Sequence, residues 1–105
     1  RDPEVDFSGL EEFVANAWQR QLHLYEVPFY YIEYGIAQLG AIGMWMQYRE
    51  NPQQALDRYC EALSLGGTKT LPELFAAAGL AFDFSPEKIA SLMRFVGEEY
   101  QKTIN

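Results

Sequence analysis

The chain has 105 residues, which is enough for one domain of ordinary size and too few for two. Apolar residues make up 49% of the sequence and aromatic residues 15%, so the composition excludes a disordered or low-complexity protein. Fifteen acidic residues against eight Lys and Arg leave a net charge of −7, which argues against nucleic acid as a partner, because phosphates attract basic surfaces. The lone cysteine, Cys60, forms no disulfide within the chain, and the sequence opens with neither Met nor a signal peptide. We therefore expect a segment of a longer, cytoplasmic protein.

The first predicted helix begins at Ser8, after a linker of residues 1–7. Ser8 and Glu11 have the spacing of a capping box, in which each side chain satisfies a free amide of the first turn. Apolar residues then recur at helical spacing. The helix should end near Tyr25, because the residue before Pro28 is pushed out of helical dihedral angles. The apolar stripe consists of Leu10, Phe13, Val14, Ala17, Trp18, Gln21 and Leu22.

The second predicted helix runs from Pro28 to about Arg49 or Glu50 and is apolar on all sides. Between Val27 and Met46 it carries a single charged residue, Glu33. A helix that is apolar all round is either buried or in a membrane. Against a membrane stand the charge, the proline, the interrupting glycines and the lack of a flanking basic cluster. We therefore predict a long central helix packed by shorter amphipathic helices.

At about 100° per residue, the second helix presents an aliphatic face, a face with small residues and a tyrosine-rich face. The tyrosine-rich face is suited to hold a peptide-like group through hydrogen bonds. The structural alternative is that each tyrosine is a core residue with a satisfied hydroxyl. Glu33 has the same two interpretations, since a carboxylate on an apolar helix needs a partner. The aliphatic face contains Phe29, Ile32, Ile36, Leu39, Gly43 and Met46, the small-residue face Tyr30, Glu33, Ala37, Ala41, Met44 and Tyr48, and the tyrosine-rich face Tyr31, Tyr34, Gly35, Gln38, Ile42 and Trp45.

Three further helices are predicted from the residues that begin and end them. Each begins with a capping side chain followed within two residues by proline, and the first two end at glycines suited to a left-handed conformation. The start signals are Asn51-Pro52, Thr70 with Glu73 around Pro72, and Ser85-Pro86, and the stop signals are Gly66-Gly67 and Gly79. Strand-like alternation is confined to residues 80–84. The predicted class is therefore all-α, with about five helices in a single domain of residues 8–105.

The residues by themselves indicate no catalytic centre. One histidine and one cysteine cannot form a zinc site of the usual kinds. The sequence has neither a glycine-rich phosphate loop nor a Gly-x-Ser-x-Gly turn. The only histidine, His23, lies near the end of the first predicted helix, where a capping or packing role is the ordinary interpretation. What remains is a tyrosine-rich contact face.

The stretch from Trp18 to Ala41, WQRQLHLYEVPFYYIEYGIAQLGA, resembles the C-terminal segment of the oligoendopeptidase F family, zinc metallo-oligopeptidases related to thimet oligopeptidase. The similarity continues through Tyr59, the turn at residues 63–66, Lys69 and the later helices. The resemblance implies a helical, hollow body around a channel that admits oligopeptides. It also implies a zinc ion held by a His-Glu-x-x-His helix and a further Glu downstream of it. This sequence does not contain the motif, so the resemblance implies that the zinc ligands lie upstream.

The resemblance also assigns roles to residues of this chain. His23 matches a histidine of the family's channel wall, and Tyr31 and Tyr34 match the tyrosines that follow it. Tyr30 is a further candidate, although the helical wheel turns it toward Glu33. The implied role of these side chains is to bind the substrate backbone and stabilise the oxyanion as water attacks the carbonyl.

Two hypotheses of different classes follow. In the first, the chain is the C-terminal, substrate-channel portion of a cytoplasmic zinc metalloendopeptidase that hydrolyses oligopeptides. The zinc then lies in an upstream catalytic part, and the 105-residue chain alone binds no metal and is inactive. In the second, the chain is a stand-alone, non-catalytic helical interaction module. Under either hypothesis an exposed tyrosine face would favour self-association of the chain.

Overall fold

The computed structural model describes residues 4–104 and confirms the all-α class. Those residues contain six α-helices and one 3₁₀ helix, and no β-strand. α3 and α6 are equally long, at 19 residues each. Residues 1–3 of the predicted linker lie outside the described residues, and residues 4–7 precede the first helix. The helices are α1 (Glu11–Asn16), α2 (His23–Glu26), α3 (Ile32–Glu50), α4 (Pro52–Ser64), α5 (Leu71–Ala77) and α6 (Pro86–Ile104), with the 3₁₀ helix at Ala17–Arg20.

The chain divides into two compact units, with the boundary between Tyr34 and Gly35. The first unit contains α1, the 3₁₀ helix, α2 and the start of α3. The second unit contains the rest of α3 and all of α4, α5 and α6. No helix among the described residues combines the length and the apolarity that a membrane span requires.

The predicted capping box at the start of the first helix is not formed. The Ser8 hydroxyl donates to Asp6 Oδ1 at 2.6 Å, and the Glu11 carboxylate accepts from the Gly9 backbone N–H at 2.9 Å. α1 therefore begins at Glu11 rather than at Ser8, without a capping side chain. The two side chains satisfy polar groups of the preceding turn instead of the helix.

The predicted helix of residues 8–25 is also interrupted. After α1 the chain tightens into the 3₁₀ helix Ala17–Arg20, and Gln21 is extended, with ψ 91°. α2 then adds a single turn. None of these three segments contains a buried residue. Because most helical stability in proteins comes from packing of the apolar face, the stripe here has little to hold it in one continuous helix.

α3 begins at Ile32, four residues later than predicted. A β-turn precedes it, in which the Tyr30 N–H donates to the Val27 carbonyl at 3.1 Å. Pro28 occupies the second position of this turn, and Phe29, in the third, has a φ of 67°. This matches a type II turn, which takes proline at the second position and a positive φ at the third. A positive φ cannot continue a right-handed helix, so Pro28 begins a turn and not a helix.

The second unit begins its helices where the sequence predicts. Asn51 Oδ1 accepts from the Gln54 N–H at 3.2 Å and caps α4. The N–H and the hydroxyl of Thr70 both donate to Glu73, at 2.8 and 2.7 Å, in the predicted capping box of α5. These two hydrogen bonds hold the pKa of Glu73 below its ordinary value.

The start of α6 and the two predicted helix stops are also confirmed. Ser85 Oγ accepts from the Lys88 N–H at 3.3 Å in the first turn of α6. Gly66 and Gly79 follow α4 and α5 with φ values of 53° and 72°. This left-handed conformation is the common way for a helix to end, and glycine adopts it without steric cost.

Two glycines let α3 approach other parts of the second unit closely. A Cβ added to Gly43 would lie 2.9 Å from Leu80 Cδ2, and one added to Gly40 would lie 3.0 Å from Phe75 Cζ. Gly43 is also the one buried residue of α3. Of the predicted aliphatic face, Gly43 makes this core contact, whereas Phe29 and Ile32 are strongly exposed.

α3 also contacts α6 through one ring pair and one charge cluster. The rings of Trp45 and Phe95 meet with their centroids 4.9 Å apart at 71°. Farther along, Arg49 Nε donates to Glu99 Oε2 at 3.1 Å, and Lys102 Nζ donates to the other carboxylate oxygen. Glu99 is buried, and the hydrogen bond from Lys102, with the neighbouring Arg49, holds its pKa below the ordinary value.

Candidate functional site

The four side chains predicted as site residues lie together in the first unit. His23 begins α2, Tyr30 and Tyr31 lie between α2 and α3, and Tyr34 lies in the first turn of α3. Tyr34 Oη is 3.3 Å from His23 Nε2, a hydrogen-bonding distance. We call these four residues the His23 cluster.

The aromatic rings of the cluster surround the imidazole. The Tyr30 ring is nearly parallel to the His23 ring, at 6°, with centroids 6.2 Å apart. The Tyr31 and Tyr34 rings lie closer to the imidazole, at 5.4 and 5.6 Å, tilted by 49° and 89°. Such tilted and edge-to-face arrangements are the favourable ones for aromatic pairs, so the rings support one another's positions.

The β-turn before α3, rather than helical periodicity, positions the cluster. The helical wheel separates Tyr30 from Tyr31 and Tyr34 by assigning it to another face. In the structure Tyr30 lies in the turn, outside α3, and its ring contacts both His23 and Tyr34. Tyr30 therefore lies with Tyr31 and Tyr34 around the His23 ring and not on a separate helix face.

The second ring nitrogen of His23 identifies the favoured tautomer. Nδ1 is buried and has no hydrogen-bond partner among the described residues. A proton on Nδ1 would leave a buried N–H unsatisfied, which is costlier than an unused lone pair. The proton is therefore favoured on Nε2, which donates to Tyr34 Oη. The Tyr34 hydroxyl then keeps its own proton to donate to another group.

The three phenols are accessible, whereas the imidazole is half-buried. Tyr30, Tyr31 and Tyr34 are 52%, 37% and 56% exposed, and His23 is less exposed than they are. Phenol hydroxyls donate and accept hydrogen bonds, so this arrangement can bind carbonyl oxygens or a developing negative charge on oxygen.

Glu33 lies outside the contacts of the cluster. It is exposed in the first turn of α3, where a carboxylate interacts favourably with the positive end of the helix dipole. Its position thus has a sufficient structural explanation. Trp45, which the wheel placed on the tyrosine-rich face, packs against Phe95 within the second unit.

The described residues do not fit a zinc site. Among residues 4–104, no group of three or more His, Cys, Asp or Glu side chains is arranged to hold a metal ion. A protein zinc site takes at least three such ligands, and the rings around His23 are phenols.

Two features of the structure were not predicted from the sequence. One is the positive φ of Phe29, which the proline before it and the break in helical pattern signal only in part. The other is an apolar groove of about 600 Å³ between α3, α4 and α5 in the second unit. The small residues Ala37 and Ala41 on one face of α3 are the sequence signal for this groove.

The fold and the site define an all-α protein with a histidine-centred cluster of accessible tyrosines. Residues 4–94 match peptidase family M3, a range that includes the whole His23 cluster. Because this match covers most of the sequence, the chain belongs to peptidase family M3, whose members are in general zinc metallopeptidases. No curated protein and no solved structure matches the chain.

Proposed function

We propose that this chain is the C-terminal, substrate-channel portion of an M3 peptidase of the oligoendopeptidase F type, which hydrolyses peptide bonds in oligopeptides in the cytoplasm. Residues 8–105 would act as one helical domain after the linker of residues 1–7, and an upstream part would hold the zinc ion. The observation that carries the proposal is the hydrogen-bonded pair of Tyr34 and His23 among accessible tyrosines, in a chain of this peptidase family.

The proposed role of the cluster is to bind the substrate carbonyl and stabilise its transition state. When water attacks a peptide carbonyl carbon, negative charge develops on the carbonyl oxygen. A hydrogen bond from a phenol to that oxygen strengthens as the charge grows, so it stabilises the transition state more than the substrate. Tyr34 and Tyr31 are the donors assigned to this oxygen.

His23 would orient and polarise the principal donor. With the proton on Nε2, the imidazole donates to Tyr34 Oη and leaves the phenol proton directed elsewhere. Hydrogen bonds in a chain polarise one another, so accepting this bond makes the phenol a better donor. The parallel ring of Tyr30 helps to hold the imidazole in place.

The test uses the intact peptidase, expressed from the reading frame extended upstream of Arg1. Tyr34→Phe and Tyr31→Phe remove one hydroxyl each and keep the ring. Loss of one oxyanion donor lowers kcat by roughly 10²-fold in well-studied hydrolases, and we expect a fall of that order with a smaller change in KM. Tyr100→Phe, at an exposed position of α6, is the matched control and should leave both constants unchanged.

Three outcomes would contradict the proposal. Unchanged kcat in both tyrosine variants would return these residues to a structural role. Chelator-sensitive cleavage by the isolated 105-residue chain would show that no upstream part is needed. An upstream frame without a His-Glu-x-x-His helix, or a start codon directly before Arg1, would favour the non-catalytic interaction module.

A further inference from the structure

The backbone at Phe29 adopts a conformation that side chains disfavour. Its φ of 67° makes it the one residue other than glycine with a positive φ among the described residues. For residues with a Cβ this region is crowded, and for bulky residues it is a true outlier. The third position of a type II turn is normally glycine or asparagine. The sequence therefore has phenylalanine at a backbone position where glycine or asparagine is the usual residue.

Packing within the described chain does not explain why phenylalanine occupies position 29. Phe29 is 95% exposed, more than any other large apolar side chain whose exposure the structure describes. Strained residues of this kind persist where the side chain or the local conformation serves a function, and they concentrate at active sites and ligand clamps. The neighbours of Phe29 in the chain support this reading, because Tyr30 and Tyr31 both belong to the His23 cluster.

We propose that Phe29 is a specificity-determining residue whose ring contacts an apolar side chain of the bound oligopeptide. The inference rests on the proposed function, in which the His23 cluster binds the peptide backbone. An extended peptide advances about 3.3 Å per residue and points successive side chains to opposite sides. A ring directly beside the backbone-binding phenols therefore lies within reach of a side chain near the bound carbonyl.

The occupant should be apolar because the exposed ring offers only apolar surface. Contact with an aliphatic or aromatic side chain removes this surface from water, and an aromatic partner adds a favourable ring contact. A charged or hydroxylated side chain would gain neither. The expected preference is therefore for peptides with an apolar residue near the cleaved bond.

The kinetic test compares variants of the intact peptidase on two series of quenched fluorescent oligopeptides. The series differ at one position near the cleaved bond, which carries Phe in one and Ser in the other. Phe29→Gly and Phe29→Asn delete the ring and still accept a positive φ. We expect each variant to raise KM for the Phe peptide by about 2- to 10-fold. KM for the Ser peptide and both kcat values should stay unchanged.

Two further variants serve as matched controls. Phe29→Leu keeps an apolar side chain and should retain part of the preference for the Phe peptide. Phe13→Ala removes an equally large exposed ring from α1 of the same unit and should leave both KM values unchanged. A shift in KM with Phe13→Ala equal to that of Phe29→Gly would overturn the assignment to Phe29.

A stability measurement on the 105-residue chain tests the strain directly. Phe29→Ala keeps the crowded Cβ, whereas Phe29→Gly removes it. We expect the Tm of Phe29→Gly to equal or exceed that of the parent chain and to exceed that of Phe29→Ala by about 4 to 8 °C. A Tm for Phe29→Gly well below the parent would show that the ring packs within the chain, and would overturn the proposal.

The remaining outcomes separate this inference from the function on which it rests. If Tyr34→Phe lowers kcat while the Phe29 variants keep the parental KM ratio, the specificity role fails alone. If the Phe29 variants lose kcat equally on both peptides, Phe29 positions the turn and the specificity role fails. If Tyr34→Phe leaves kcat unchanged, the proposed function fails and this inference falls with it.

Discussion

Gly43 is the position where a single added methyl group tests the packing of the second unit. The change Gly43→Ala places a Cβ 2.9 Å from Leu80 Cδ2, whereas ordinary contacts between carbon atoms lie near 3.5 to 4.0 Å. Gly97, in α6, is the matched control. A Cβ added there meets no atom within 4 Å, so Gly97→Ala makes the same chemical change without the contact.

The magnitude follows from two opposing effects. Replacing a helical glycine by alanine stabilises the folded state by about 0.8 to 1.0 kcal/mol, and Gly97→Ala should show this full gain. At Gly43 the Leu80 side chain must move, and overpacking of this kind costs about 1 to 3 kcal/mol. We therefore expect Gly43→Ala to change the free energy of unfolding by between about 0 and −2 kcal/mol.

The assay is urea unfolding of the 105-residue chain followed by far-ultraviolet circular dichroism. Both positions lie in the second unit, so the two variants report on the same transition. The free energy of unfolding of Gly97→Ala should exceed that of Gly43→Ala by about 1 to 3 kcal/mol. Equal stabilisation by both variants would refute the reasoning, because it would mean that the Leu80 side chain moves away from the added methyl group without a measurable cost.

Two further predictions concern the same unit. Because the pKa of Glu99 lies below its ordinary value of 4.5, its ionised form stabilises the fold above that pH, and this contribution is lost as the pH falls through the lowered value. Glu99→Gln should therefore make the urea midpoint less dependent on pH in this acidic range, and an unchanged dependence would contradict this. Asn51→Ala removes the cap of α4 and should lower the free energy of unfolding by about 1 kcal/mol, whereas Gln53→Ala in the same turn should have little effect.

The helix starts of the second unit were predictable because their signals are local. A cap such as Asn51, or the pair Thr70 and Glu73, satisfies backbone groups three residues away. Whether the cap forms therefore depends little on the rest of the fold. The stops at Gly66 and Gly79 are local for the same reason, since only their own φ must be left-handed.

The first unit was predicted less well because its signals depend on packing. An apolar stripe predicts a long helix only if something buries it, and no residue of α1, the 3₁₀ helix or α2 is buried. The capping box failed because Asp6 and Gly9 compete for the same side chains. Pro28 is ambiguous from the sequence, since it suits both the first turn of a helix and the second position of a β-turn.

The sequence named the candidate site residues but did not predict how they are arranged. The family resemblance proposed His23, Tyr31 and Tyr34, with Tyr30 as a weaker candidate. Their mutual contacts depend on the turn at Phe29, whose positive φ is the disfavoured choice for phenylalanine. Prediction from the backbone preferences of single residues cannot select a conformation that those preferences disfavour.

The exposure of the tyrosines bears on their two interpretations. Core tyrosines bury their rings and satisfy one hydroxyl, whereas Tyr30 and Tyr34 are more than half exposed. Their rings pack on the half-buried imidazole of His23, which holds them in place without enclosing them. This arrangement includes the strained turn at Phe29, whereas a continuous helix from Pro28 would have no positive φ at this residue. Because residues 28–31 are all exposed, burial does not account for the turn, whose structural effect is to bring the Tyr30 ring parallel to the His23 ring.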